Sequence, residues 1–257
     1  MIDLLMNGSD NFYERKRVNW YAFLLGAGAS LAIWRIVGAQ KKKDLQWVVA
    51  GLWVLAGAWL GARLAFFIWQ PATLIDQGWA SLGLRAGGLV WPGAVLGAWC
   101  TIFILALTKG KSWLVVADYL LVMLAPLAIM SWLAGWFSGS GYGQIMQAAW
   151  WIPRTLDDSF QHLPRFPLQW VAAVTLFLLF ILLEPRFPKN KTGALTALTW
   201  MIFSIHTLIF SFLRADQRPE FSGVYWDIWF GFVCLLWAIV LVMLVFVRTP
   251  KIKNNPE

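Results

Sequence analysis

Charge is scarce in this chain, and so are the residues that usually carry chemistry. Only 13% of its 257 residues are charged, against 60% that are hydrophobic. A soluble domain of this length needs far more polar surface, so that class is excluded. Cysteine occurs twice, and Cys100 and Cys234 both fall in apolar stretches. Neither a disulfide framework nor a metal cluster is suggested, and no metal or cofactor is expected. Histidine also occurs twice, as His162 and His206. A haem ligand pair would need both rings to face one plane, and the default for His206 is a core hydrogen bond. No Ser-His-Asp spacing, HExxH or phosphate loop is present. The last apolar stretch holds no lysine, which excludes a retinal Schiff base. The first eighteen residues carry charge throughout and lack a small-residue cleavage site, so no removable signal peptide is expected.

Apolar length is what the chain has in abundance. About 20 apolar residues cross a bilayer core of roughly 30 Å. Seven stretches qualify, at about 20–37, 46–69, 88–108, 112–137, 168–183, 193–213 and 224–247. The expectation is an all-α integral membrane protein of seven transmembrane helices, forming a single membrane domain over 1–257. The fifth stretch is the shortest and the third contains Pro92, so either could be a broken or tilted helix. Nineteen tryptophans suit a membrane–water interface. The outer connection 138–167 contains Gly139, Gly141, Gly143 and the Trp150-Trp151 pair. It reads as a small folded cap or an interfacial helix.

The charges alternate between sides. The loops after stretches one, three, five and seven hold twelve cations against three acids, and the other side holds eight cations against nine acids. By the positive-inside rule the N-terminus is outside and the C-terminus cytoplasmic. Arg15-Lys16-Arg17, just before the first stretch, pulls the other way and is outweighed by the whole-chain count. The net charge of +8 is then a membrane feature, and no nucleic-acid partner is implied.

A few polar residues need a reason to be where they are. Arg63 lies about six residues from the outer end of stretch two, roughly 9 Å deep. It either snorkels to the interface or binds an anionic headgroup, for which a guanidinium is suited by its two parallel donors. Arg214 ends stretch six on the same side, followed by Asp216 and Arg218. It is either a solvated anchor or, with Arg63, a phosphate clamp. Tyr21 and Tyr142 either anchor at the interface or add hydroxyls to that clamp. Gly87, Gly88, Pro92, Gly93 and Gly97 suit close helix packing or an anion at a helix N-terminus. Asp118 reads as a cytoplasmic cap or a local pair rather than a proton relay.

In chain order, these pieces resemble the bacterial prolipoprotein diacylglyceryl transferase family. Asn19-Trp20-Tyr21 looks like the start of its first span. Gly61-Ala62-Arg63-Leu64 looks like its Gly-x-Arg-Leu. Gly87-Gly88-Leu89-Val90-Trp91-Pro92-Gly93 resembles its Gly-Gly-x-x-x-His-Gly. Trp132 to Gly139, then Tyr142-Gly143, resembles the signature stretch ending in Tyr-Gly. Pro167-Leu168-Gln169 resembles His-Pro-x-Gln, and Phe212 to Pro219 resembles the end of the sixth span. The resemblance implies transfer of the diacylglyceryl group of phosphatidylglycerol to a lipobox cysteine at the outer face of the bacterial inner membrane. It implies catalytic candidates Arg63, Arg214 and Tyr21. Its substrate-binding set is Arg63, Tyr21, Tyr142, Gly87, Gly88, Gly139, Gln169 and Arg214. The partners implied are phosphatidylglycerol or another anionic phospholipid and a prolipoprotein signal peptide; a larger membrane complex belongs to the alternative of a silent subunit. Several positions depart from the family pattern. Its His is Pro92 here, its signature Arg is Trp132, the following Asn is Gly135, the acidic position is Ser140, and the Arg and Glu of span six are Thr207 and Ser211. These losses leave a catalytically silent, lipid-binding relative as the alternative, with an unrelated transporter as the third reading.

Overall fold

The computed structural model describes residues 19–39, 44–72, 75, 78, 89–156, 161–188 and 190–247. Seven helices within them are long and apolar enough to cross a bilayer: Trp20–Ala39, Leu45–Trp69, Trp91–Thr108, Trp113–Ser138, Leu168–Arg186, Ala194–Leu213 and Trp226–Val247. They are spans one to seven below. The longest uninterrupted α-helix among them is span two, with 25 residues, about 37 Å at the helical rise.

The boundaries differ from the expected ones for local reasons. Span three starts at Trp91, with Pro92 in its first turn. No N–H is needed there, so proline starts this helix rather than breaking it. In span four the interruption is real. The helix tightens to a 3-10 turn over Leu121–Met123 before resuming at Leu124–Ser138. Pro126 cannot supply an N–H to the carbonyl four residues back, which favours a break at this point. Span seven begins two residues late because Val224–Tyr225 (strand β4) pairs antiparallel with Glu220–Phe221 (β3). The turn between them places Ser222 at φ 54° and Gly223 at φ 74°, the two positive values a tight hairpin turn requires.

Spans two and three touch backbone to backbone. A Cβ on Gly61 would lie 2.2 Å from the Gly93 carbonyl oxygen, and one on Gly97 would lie 2.1 Å from that of Gly57. Gly93 and Gly97 thus serve helix packing through small residues. The same contact brings the Val90 N–H to the Ala62 carbonyl at 3.4 Å, beside Arg63. An aromatic group fills the core between spans three, six and seven. Trp99 meets Trp200 edge-on at 5.2 Å and Trp237 at 5.9 Å, and the Trp200 indole N–H donates to the Cys234 carbonyl at 3.1 Å.

The bundle has two distinguishable ends. At the cap face, residues 139–167 join spans four and five. Arg154–Leu156 (β1) pairs there with His162–Pro164 (β2), and no helix forms among the described residues of this connection. At the lysine-rich face, Asp118 caps the start of span six. It accepts from the Gly193 N–H at 2.5 Å, the Thr196 N–H at 2.8 Å and the Thr196 hydroxyl at 2.6 Å.

Candidate functional site

Four charged side chains meet where spans six and seven reach the cap face. Arg214 follows the last residue of span six. Its Nε donates to Asp216 Oδ1 at 2.9 Å and its Nη2 to Oδ2 at 2.5 Å. This two-pronged geometry suits a guanidinium on a carboxylate. Arg218 donates from Nη1 to Asp227 Oδ2 at 2.5 Å and to the Ser211 carbonyl at 3.1 Å. Its guanidinium also lies 4.1 Å over the Tyr225 ring. The pairs are linked, with Arg214 Nη1 3.6 Å from Asp227 and Arg218 Nε 3.7 Å from Asp216. Two cations and two acids make this cluster formally neutral.

Backbone from the cap completes it. Gly139, at φ 71°, ends span four in the left-handed region, and Gly141 shares that φ. Both conformations suit glycine. The chain reverses and aims the Gly141 N–H at Asp216 Oδ2, 3.0 Å away. Burial alone would push the Asp216 carboxyl up. The hydrogen bonds and charge of Arg214, the Gly141 N–H and the charge of Arg218 outweigh it and hold the carboxyl below the usual carboxylate range. Tyr142 is buried, with Arg165 4.2 Å over its ring, and its carbonyl accepts from the Ala215 N–H at 2.9 Å. Gln169, also buried, donates to the Ser140 carbonyl at 3.0 Å. Tyr142 and Gln169 thus both brace the turn that carries Ser140 and Gly141.

A cavity of about 230 Å³ opens beside this cluster. Tyr21, Leu89, Trp91, Ala128, Ser131, Trp132, Gly135, Ser140, Gly141, Phe203, Thr207, Ser211 and Arg214 line it. Of the expected site residues, Tyr21 and Arg214 face the cavity together. Arg63 is only 1% exposed, which a snorkelling arginine would not be. It does not line the cavity, but it lies close enough to Tyr21 for its charge to act on the hydroxyl. Gly139, Tyr142 and Gln169 shape the wall from behind. Gly87 and Gly88 lie outside the described residues. His206 is a core residue, with its Nε2 3.0 Å from the Thr175 hydroxyl and its ring stacked on Phe210.

A family model for prolipoprotein diacylglyceryl transferase matches residues 12–247. The chain belongs to this family. It is 23% identical to the phosphatidylglycerol–prolipoprotein diacylglyceryl transferase of Zymomonas mobilis, over 91% of this chain and 84% of that protein. It is 25% identical to the protein of that name from Enterococcus faecalis, over 92% and 89%. It is 29% identical to that of Legionella pneumophila strain Philadelphia 1, over 82% and 84%. With seven apolar helices, it is a multi-pass membrane protein of that family.

Membership gives the cavity lining a second meaning. Trp132, Gly135, Ser140, Thr207 and Ser211 are the positions that the resemblance set out above matches to Arg, Asn, an acid, Arg and Glu, and all five line this cavity. In the sequence they are spread over 80 positions. Asp216, Arg218 and Asp227 are the cluster residues to which the sequence assigned no role. Alternating charges in Arg214-Ala215-Asp216-Gln217-Arg218 were the available signal for the first two. Nothing local marks Asp227 beyond its place in the first turn of span seven.

Proposed function

We propose that the cavity between Tyr21 and Arg214 takes the headgroup of phosphatidylglycerol, or of another anionic phospholipid. In this reading the diacylglyceryl group passes from that lipid to the cysteine thiol of a prolipoprotein lipobox. The cap face is then the outer face of a bacterial inner membrane and the lysine-rich face is cytoplasmic. The observation that carries the reading is that Arg214 and Tyr21 line one small cavity together with Ser131, Ser140, Thr207 and Ser211.

The chemistry is a displacement at carbon. The cysteine sulfur attacks the terminal glyceryl carbon, the bond from that carbon to the phosphate oxygen breaks, and glycerol phosphate leaves. A guanidinium on the phosphate stabilises the charge gathering on the leaving group. Among the described side chains lining the cavity there is no carboxylate and no imidazole to take the thiol proton. The leaving phosphate monoester has a second ionisation near pH 6, so it can accept that proton itself. This route needs no base from the protein, at the cost of a thiol that ionises only near its ordinary pKa of about 8.5.

A second reading is a lipid-binding relative without turnover, acting alone or within a larger membrane complex. It is favoured by the five replaced lining positions and by Asp216 on the Arg214 fork. One assay separates the two. Purified protein is given phosphatidylglycerol and a lipobox peptide, and thioether product and glycerol phosphate are measured. Product above the peptide-only blank supports the transferase. Its absence, where an ordinary family member works, leaves the binding reading. Unchanged anionic-lipid binding in both Arg63→Gln and Arg214→Gln removes the site altogether.

A further inference from the structure

We propose that Asp216 is an internal occupant of the phosphate seat on Arg214, and that an anionic headgroup binds by displacing this carboxylate towards Arg218. The inference rests on the reading of the cavity as a phosphate site and concerns what guards it. A carboxylate and a phosphate use the same two donors of a guanidinium. Here those donors, Arg214 Nε and Nη2, are held by the two oxygens of Asp216. A phosphate oxyanion approaching this edge therefore meets a filled fork, and on the other edge Nη1 faces Asp227, 3.6 Å away.

The surroundings supply a place for the displaced carboxylate to go. Asp216 Oδ1 already lies 3.7 Å from Arg218 Nε, and its Oδ2 is held by the Gly141 N–H at 3.0 Å. A small movement exchanges Arg214 for Arg218 without leaving the acid unpaired. Asp227 stays on Arg218 Nη1 throughout. The neutral cluster then carries one net negative charge with a phosphodiester bound. A weak or poorly aligned anion does not repay that exchange, so Asp216 sets a threshold on which headgroups enter. It is a specificity-determining residue, not a participant in bond making.

Short-chain dihexanoylphosphatidylglycerol and inorganic phosphate serve as probes, titrated by calorimetry into the full-length protein in detergent. Asp216→Asn keeps the shape of the side chain and weakens its hold on the fork. It should bind the lipid probe roughly tenfold more tightly than the native protein, the scale of one hydrogen-bonded charge pair. Asp227→Asn changes net charge equally but leaves the fork filled, and should tighten binding much less. Arg218→Gln removes the alternative partner and should weaken binding several-fold. A gain with both probes means the seat takes any phosphate oxyanion. A gain with the lipid alone means the acyl chains are needed as well. Either supports the proposal.

If Arg214→Gln abolishes binding while Asp216→Asn binds no more tightly than the native protein or Asp227→Asn, the displacement is wrong and the phosphate site stands. If Arg214→Gln binds as the native protein does, the site itself is wrong and this inference falls with it. Should Asp216→Asn fail to elute as a single folded species, Arg218→Gln decides: equal or tighter binding overturns the proposal.

Discussion

The two ends of the bundle each hold a cavity and a set of charged groups, and they use them differently. At the lysine-rich face, spans one, four and five enclose about 930 Å³, lined mainly by apolar side chains such as Leu31, Ile129, Met130 and Phe177. Three of its charged groups, Asp118, Arg35 and Glu184, are committed to structure. Asp118 holds the first turn of span six, and Arg35 pairs with Glu184 between spans one and five. The cap-face cavity is about a quarter of that size, yet the side chains lining it include a guanidinium, a phenol and four aliphatic hydroxyls. The size of a hollow in a membrane protein is therefore a poor guide to its chemistry, because hydrocarbon can fill an apolar groove. What marks a site is polar groups turned inward at a depth where burying them is costly.

The sharpest way to break this contrast is Arg214→Gln. Removing the guanidinium takes the two-pronged partner from Asp216 and leaves Arg218 alone to hold two buried carboxylates. Breaking a buried pair outright costs about 3–5 kcal/mol, and with Arg218 still in place the loss should fall below that, a drop in Tm that a detergent thermal-unfolding series should register. Transfer activity, where present, should fall by a further factor on the order of 10²–10³, since the phosphate loses its fixed cation. The same pair sets a pH dependence. The folded Asp216 carboxyl lies below its ordinary value, so its stabilising contribution is complete above the unfolded pKa of about 3.9. That contribution fades as pH falls through the folded value. Asp216→Asn should flatten this acid limb, and an unchanged acid limb would argue against the pairing.

Next in size is the contact that fixes where Arg63 sits. Gly61→Ala places a methyl against the Gly93 carbonyl. Spans two and three must then part, at about 1–3 kcal/mol for an overpacked contact. Because Arg63 lies on the same turn, anionic-lipid binding should fall with it. Gly26→Ala, where a Cβ would meet nothing within 4 Å, is the control and should leave both Tm and binding unchanged.

These positions also show what the sequence could and could not reveal. All seven spans were legible because apolar length is a property of consecutive residues; two misplaced starts trace to Pro92 and a short hairpin, and the break inside span four goes with Pro126. Glycine at the start of span three was legible as either packing or anion binding, and the close approach to Gly61 and Gly57 shows Gly93 and Gly97 to be packing positions. Arg214 was legible as a cation at the end of span six. That Asp216 fills its fork was not, since residues two apart read equally well as a solvated, alternating surface. Nor was it visible that Trp132, Ser140 and Thr207 share one wall. That depends on how span six lies against span four, and linear order does not encode it.

At the lysine-rich face the expected effects are smaller, and they should leave lipid binding alone. Asp118→Ala removes three hydrogen bonds at the N-terminus of span six, worth about 1–2 kcal/mol for a capping acid. Arg35→Gln should cost at most about 1 kcal/mol, because the Arg35 and Glu184 side chains keep 30% and 20% of their exposure, and water screens such a pair. The informative result is the ratio of the two effects on Tm and binding. Asp118 acts through backbone N–H groups that have no other partner in the first turn of a helix, whereas Arg35 and Glu184 can each turn to water. If Arg35→Gln weakens phosphatidylglycerol binding as much as Arg214→Gln does, the division of labour between the two ends is wrong, and the larger cavity becomes the lipid site to pursue.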